Sequence, residues 1–231
     1  MCYSDSCFGP NKNFTSICLW NWFINRKQFK QIDHKFLVRG HAFLPNDRDF
    51  SHIEKCKAAA HVLVPQQWEE VIISARQANP FRVQQMSSDS FLDFSGLEKE
   101  HTRRKNDLSK NPVLISKVTW MNFGQAEVTK RGKKVTETHR NEVWLRYSYD
   151  RSEEWSQVSL LKGRKKTSPN TDLSLPEKYP EKYPDGHPVK TKKIEDLKKM
   201  IPYIPTEHRQ FYEDLQDHVT AENVSEDEYE Q

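Results

Sequence analysis

The stretch Lys35–Phe50, KFLVRGHAFLPNDRDF, decides the interpretation of the fold, because it takes the chain from a strand pattern into the start of a helix. A second stretch, Tyr3–Asn13, YSDSCFGPNKN, stands upstream of it. Asp5 follows a short strand pattern, Asp47 begins a helix pattern, and a long helix-like segment separates them. The two stretches therefore predict an α/β (α+β) fold with one carboxylate at a strand end and another at a helix start.

Capping residues and prolines mark the helices. Asn11 or Asn13 is a competent N-cap for a helix that runs to about residue 27. Pro45 begins a second helix, and Pro65 stands near the first position of a third. After residue 80 the pattern changes, and we expect strands at 81–86, 113–123, 142–149 and 156–161, then short helices at 190–200 and 206–216.

Composition bounds the class of protein. The 231 residues are 35% hydrophobic and 30% charged with a net charge of +3, which suits a folded protein with an aromatic-rich core. No run approaches the roughly 18 apolar residues of a membrane span, and Met1 is not followed by a leader pattern. We therefore expect an intracellular protein, nuclear or cytoplasmic, with no membrane contact. No Cys-x-x-Cys pair occurs, so reduced thiols are expected, with a zinc site through His34 or His41 as the alternative.

Asp5 and Asp47 have a chemical and a structural interpretation. Two-metal phosphoryl transfer uses cations about 3.5–4 Å apart that several carboxylates hold. Mg²⁺ prefers such hard oxygen ligands, so Asp5 and Asp47 are candidate catalytic and metal-binding residues, with Asp49 and His41 as secondary candidates. The alternative is ordinary helix capping, which explains an aspartate at position 47 without any metal.

Both stretches resemble a family of uncharacterised, transposon-derived eukaryotic proteins of the DUF7869 type, common in insects and other invertebrates. The resemblance rests on Asp5-Ser6-Cys7 with its following glycine and asparagine, and on Gly40-His41 followed by Asp47. It implies a DDE-transposase integrase core of ribonuclease H type, in which Asp5 matches the second acidic position and Asp47 the third. Pro10 departs from the family, which usually has glutamine there. The segments that resemble the tails of such proteins are 192–197, 204–205 and 211–212.

The resemblance also implies that this catalytic core is cut in half. Met1 immediately precedes the strand that leads to Asp5, so the family's first acidic residue and its preceding strands have no counterpart here. We therefore expect an N-terminally truncated chain with negligible activity alone, in which Mg²⁺ binds only if missing sequence or a protein partner completes the sheet. The expected segments are 1–80, the C-terminal half of a ribonuclease-H-like core; 81–162, a small β-rich domain; 163–190, a Pro/Lys-rich linker; 191–216, a helical segment; and 217–231, an acidic disordered tail.

Short basic clusters and strand aromatics are the other candidate sites. The clusters suit phosphate binding or a nuclear-import signal, although such clusters are often only solvated turns. The nucleic-acid-binding candidates in them are Lys130, Arg131, Lys133, Lys134, Arg164, Lys165 and Lys166. The aromatic side chains are candidates for stacking on bases or for a place in the core. They are Trp120, Phe123, Trp144, Tyr147, Tyr149 and Trp155.

Two functions follow as hypotheses from different classes. The first is a transposase-derived remnant that keeps nucleic-acid binding, with DNA as the partner, and has lost strand cleavage. The second is a protein-interaction module whose aromatic strands and terminal helices dock a partner, without nucleic acid.

Overall fold

The structure is a computed structural model that describes residues 1–7, 9–38, 44–130, 133–150, 152–161, 175–187 and 189–215. Side chains are described in these ranges except at 126–130, 134 and 137. The chain forms two compact units. The first combines Met1–Ala42 with Asp93–Tyr179, and the second combines Phe43–Leu92 with Pro180–Gln231.

A mixed five-stranded sheet forms the frame of the first unit, with the strands in the order β1-β2-β3-β4-β5. β1 and β2 are parallel, and every other neighbouring pair is antiparallel. Among the described strands, β1 therefore lies at an edge of the sheet. The strands are β1 (Cys2–Ser4), β2 (Ile32–Phe36), β3 (Trp120–Lys130), β4 (Lys133–Arg146) and β5 (Ser156–Ser159).

Helix α1 (Phe14–Asn25) makes the crossover from β1 to β2 and packs on β3 and β4. Its N-cap is Asn13, whose side-chain oxygen accepts a hydrogen bond from the backbone N–H of Ser16 at 2.7 Å. Because side chains alternate along a strand, one face of the sheet carries the apolar residues that α1 covers. Those residues include Ile32, Phe36, Met121, Phe123 and Leu145.

A β-bulge between Phe123 and Gly124 interrupts the pairing of β3 with β4. Gly124 has φ +87°, a left-handed conformation that favours glycine. A Cβ atom at this position would lie 2.3 Å from the carbonyl oxygen of Lys30. The bulge therefore needs glycine both for its backbone angle and for the close approach of Lys30.

The second unit is helical. Its helices are α2 (Pro45–Ala59), α3 (Pro65–Ser74), α4 (Thr191–Lys199) and α5 (Thr206–Glu213). Val64, Ile204 and Tyr212 form its small core, and the Tyr212 hydroxyl donates to the Leu63 carbonyl at 2.5 Å. α2 buries none of its residues.

The mixed α+β content is confirmed, and all five expected helices are present. The strand expected at 81–86 is wrong: that segment has no regular structure, and Phe81 instead packs under the Arg76 guanidinium, 4.3 Å from the ring centroid. β3 begins at Trp120 rather than at residue 113 because Ile115–Lys117 forms a 3-10 turn. Residues 163–174 of the expected linker and the tail at 217–231 lie outside the described residues. In the described part of the chain, no helix has both the length and the apolar content to cross a membrane.

Candidate nucleic-acid interface

Asp5 lies in the first unit, in the turn that follows β1, and its side chain is exposed. Its Oδ1 atom accepts hydrogen bonds from the backbone N–H of Cys7 at 3.1 Å and from the side-chain amide of Asn11. These contacts explain part of the first motif in physical terms. The carboxylate organises the turn that leads from β1 to α1.

Asp47 and Asp49 lie in the second unit, in the first turns of α2. Asp47 is exposed, and its Oδ2 atom accepts a hydrogen bond from the backbone N–H of Leu44 at 2.7 Å, which satisfies a free donor at the start of α2. Asp49 is half-buried and forms an ion pair with Arg76 at 3.4 Å. Both carboxylates therefore have a structural role within their own unit.

His34 lies on β2 opposite Cys2 of β1, and hydrogen bonds engage both of its ring nitrogens. Trp20 Nε1 can only donate, and it lies 3.1 Å from His34 Nδ1, so the hydrogen-bond partners assign the proton to Nε2. Nε2 then donates to Ser4 Oγ at 2.9 Å. Burial lowers the pKa of His34 to about 4, which keeps the ring neutral. In this tautomer His34 cannot take a proton from Ser4, so the two do not form a nucleophile and its base.

Neither unit by itself holds both of the predicted metal ligands. Each unit alone contains one of the two predicted ligands, Asp5 or Asp47, whereas a Mg²⁺ pair needs several carboxylates. His34 offers no open nitrogen for zinc. His41 lies outside the described residues. Where the structure describes the chain, no three His, Cys, Asp or Glu side chains come together as a potential metal site.

The basic clusters are only partly described. Lys133 is exposed at the start of β4. Lys130 and Lys134 are described by their backbone alone, in the hairpin that β3 and β4 form. The remaining predicted phosphate-binding residues, which lie outside the described residues, are Arg131, Arg164, Lys165 and Lys166.

A row of alternating cations and tryptophans crosses the sheet face that points away from α1. Strand register places Lys35 beside Trp120 and Trp120 beside Arg146. Lys35 Nζ lies 3.9 Å from the Trp120 ring centroid, and the Arg146 guanidinium carbon lies 4.4 Å from that of Trp155. The two tryptophan rings meet edge to face with centroids 5.0 Å apart. We call Lys35, Trp120, Arg146 and Trp155 the stacking row; all four side chains are half-buried.

A second row on the same face carries hydrogen-bonding groups. Register pairs Asp33 with Asn122, Asn122 with Trp144, and Trp144 with Gln157; we call these four residues the polar row. Asp33 Oδ1 accepts from Asn122 Nδ2 at 2.8 Å and from Trp120 Nε1 at 2.9 Å. Asn122 is 4% exposed and Trp144 is 8% exposed. Asn122 Oδ1 and Trp144 Nε1 are both buried, and neither has a hydrogen-bond partner among the described residues.

The two rows combine residues that the sequence indicated with residues that it did not. Trp120, Trp144 and Trp155 belong to the six aromatic residues that the sequence indicated for stacking or for the core. Phe123, another of the six, is fully buried in the core. The sequence patterns did not indicate Lys35 or Arg146 as binding residues. The signal that could have found Lys35 is the alternation along β2, where it faces away from the buried Ile32, His34 and Phe36.

Comparison with known proteins identifies one family. A family profile described as "Domain of unknown function (DUF7869)" matches residues 2–120, more than half of the chain. No curated protein and no solved structure matches the chain. The matched range contains both aspartate motifs and the whole of the β1–α1–β2 crossover, and it ends at the first residue of β3. The chain therefore belongs to the DUF7869 family.

Proposed function

We propose that this chain is a transposase-derived protein that binds nucleic acid and does not cleave it alone. The observation that carries the binding proposal is the stacking row, in which two cations and two half-buried indole rings lie on one sheet face. Lysine and arginine neutralise phosphates, and base–aromatic stacking contributes about 1–3 kcal/mol per base. A sheet face that offers both kinds of group suits a nucleic-acid strand.

The transposase-derived part of the proposal has separate support. A parallel β1–α1–β2 crossover carries Asp5 just after its edge strand, and Asp47 stands in the first turn of the next helix along the chain. This order of elements and carboxylates is the one that a ribonuclease-H-like core with a DDE site would have in its second half. The resemblance implies Mg²⁺ as the metal of a complete DDE site.

Salt-dependent binding tests the main proposal. We expect the 231-residue chain to bind a labelled single-stranded oligonucleotide with an affinity that falls between 50 and 200 mM salt. The fall is steep for about 6–10 phosphate contacts and less steep for fewer contacts. Replacing both Lys35 and Arg146 by glutamine removes two phosphate contacts. The slope of log K against log salt should then become shallower by about 1.4, since each contact to a single strand contributes about 0.7.

The matched control removes the same charge from the same unit at exposed positions elsewhere. In the Lys99→Gln/Arg103→Gln variant we expect the wild-type affinity and slope. No binding by the wild-type chain even at low salt would remove the proposal. Equal losses in both double variants would mean that net charge, rather than the stacking row, drives binding. Mg²⁺-dependent turnover of DNA that disappears in Asp47→Ala would contradict the inactivity that we propose.

A second candidate is a protein-interaction module, and the edge strand is the observation that favours it. In the described residues β1 pairs on one side only, with β2, and Tyr3 is 50% exposed. An open strand edge can accept a strand from a partner, which would complete the sheet. The same oligonucleotide titration separates the two candidates, because this module would bind no nucleic acid at any salt concentration.

A further inference from the structure

The polar row keeps two unused hydrogen-bonding groups of opposite kind. Asp33 Oδ1 accepts from the amide nitrogen of Asn122, so the amide oxygen of Asn122 points elsewhere. Trp144 is the direct cross-strand neighbour of Asn122, and its indole N–H donates to no described group. Buried polar groups in folded proteins are nearly always paired. Here an unused acceptor and an unused donor lie on cross-strand neighbours, and a ligand with one donor and one acceptor would satisfy both.

We propose that Asn122 Oδ1 and Trp144 Nε1 hold the edge of an unpaired nucleobase. This inference rests on the proposed function and deepens it, because it names the substrate as single-stranded nucleic acid. The ligand must be flat enough to lie among indole rings, must donate to Asn122 and must accept from Trp144. The Watson–Crick edge of a base carries a donor and an acceptor side by side, and it is free only where the base is unpaired.

The neighbouring charges favour a nucleotide over a peptide, whose backbone amide offers the same two groups. The stacking row places the Lys35 and Arg146 cations next to the polar row, where the phosphates attached to a bound base would run. The two carboxylates on this face are already engaged. Asp33 accepts from three side chains, including Gln31 at 2.7 Å, and Glu142 contacts His139 at 2.8 Å and Gln157 at 2.5 Å. Because Asn122 and Trp144 are more than nine-tenths buried, the base has to insert between side chains.

The test compares three ligands of equal length with the full chain: a labelled single-stranded oligothymidylate, the same strand in a duplex, and an abasic strand. We expect the base-bearing single strand to bind most tightly. Trp144→Phe keeps the aromatic body and removes the donor, so it should weaken binding of the base-bearing strand by about tenfold and leave the abasic strand unchanged. The control is Trp22→Phe, which removes an indole N–H that donates to the Pro176 carbonyl at 3.0 Å and should leave both affinities unchanged.

Each outcome has one meaning. If Trp144→Phe binds the base-bearing strand as tightly as the wild-type chain does, the base site is overturned, and water satisfies Asn122 Oδ1 and Trp144 Nε1. Equal weakening for both strands would overturn it as well. Failure of the wild-type chain to bind any strand would remove the proposed function itself. If Trp144→Phe does not fold, the indole N–H resonance of Trp144 in the wild-type chain decides. It should shift with the base-bearing strand and stay in place with the abasic strand or with a short peptide.

Discussion

Gly124→Ala should destabilise the first unit by about 1–5 kcal/mol, and the magnitude follows from three contributions. A residue with a side chain in the left-handed region costs about 1–2 kcal/mol. The new Cβ would lie 2.3 Å from Lys30 O and 2.9 Å from Ile24 Cδ1. Moving the Lys30 carbonyl out by about 1 Å is an overpacking cost of about 1–3 kcal/mol. The lower entropy of an unfolded chain with alanine offsets about 0.4–1 kcal/mol of this.

Gly96→Ala is the matched control, because it makes the same chemical change where the structure has room. Gly96 has φ −77°, and a Cβ built on it meets nothing within 4 Å. Here only the unfolded-chain contribution remains, so the variant should be neutral or more stable by up to about 1 kcal/mol.

Urea denaturation followed by tryptophan fluorescence measures both variants. Five of the six tryptophans lie in the first unit, so the signal reports mainly on that unit. The midpoint should fall for Gly124→Ala and hold or rise for Gly96→Ala, with equal slopes in both. A Gly124→Ala variant as stable as Gly96→Ala would refute the geometry assigned to the bulge, and with it the register of β3 and β4 beyond Phe123.

Three further predictions concern single groups. Burial lowers the pKa of His34 to about 4, against 6.5 for an ordinary histidine, so the stability that the neutral ring contributes is complete above pH 6.5 and is lost as the pH falls towards 4. Urea denaturation across that range should show that the free energy of unfolding falls by up to about 3 kcal/mol more for the wild-type chain than for His34→Asn. Asp47→Ala should lower the stability of the second unit by about 0.5–2 kcal/mol through loss of its capping contact, whereas Asp47→Asn should lose much less, as differential hydrogen exchange of α2 would measure. Burial raises the pKa of the Cys18 thiol to about 12. An aromatic disulfide reagent at pH 8 should therefore label the exposed Cys7 and spare Cys18 until the chain is denatured. Rapid labelling of Cys18 in the native chain would contradict its burial.

The local signals in the sequence predicted the elements well because each depends on a few neighbouring residues. Asn13 caps α1 with its own side chain, and Pro45 and Pro65 stand at the first positions of α2 and α3. The strand expected at 81–86 failed for the opposite reason. Its alternation was a local pattern, but a strand needs a partner, and Phe81 packs on Arg76 instead.

The candidate interface could be predicted only in part, because it depends on pairing between distant residues. The tryptophans were visible as strand aromatics. Placing Lys35 over Trp120 requires the register of β2 against β3, whose residues are far apart in the chain. No pattern within either strand specifies that register. The motif aspartates were visible at once, since their spacing to strand end and helix start is local.

Buried polar groups lie on both sides of the sheet, and the described ones differ in whether they have a hydrogen-bond partner. On the α1 face, His34 has a partner at each nitrogen, and the buried Asn21 bonds to His101 at 2.9 Å. Arg26 Nε and Tyr179 Oη, beside α1, have no partner among the described residues, so this side is not fully satisfied either. On the opposite face, the described residues offer no partner to Asn122 Oδ1, Trp144 Nε1 or Arg146 Nε. What distinguishes the opposite face is that Asn122 and Trp144 are cross-strand neighbours next to the Lys35 and Arg146 cations, and the base site that we propose depends on that arrangement rather than on the number of unpaired groups.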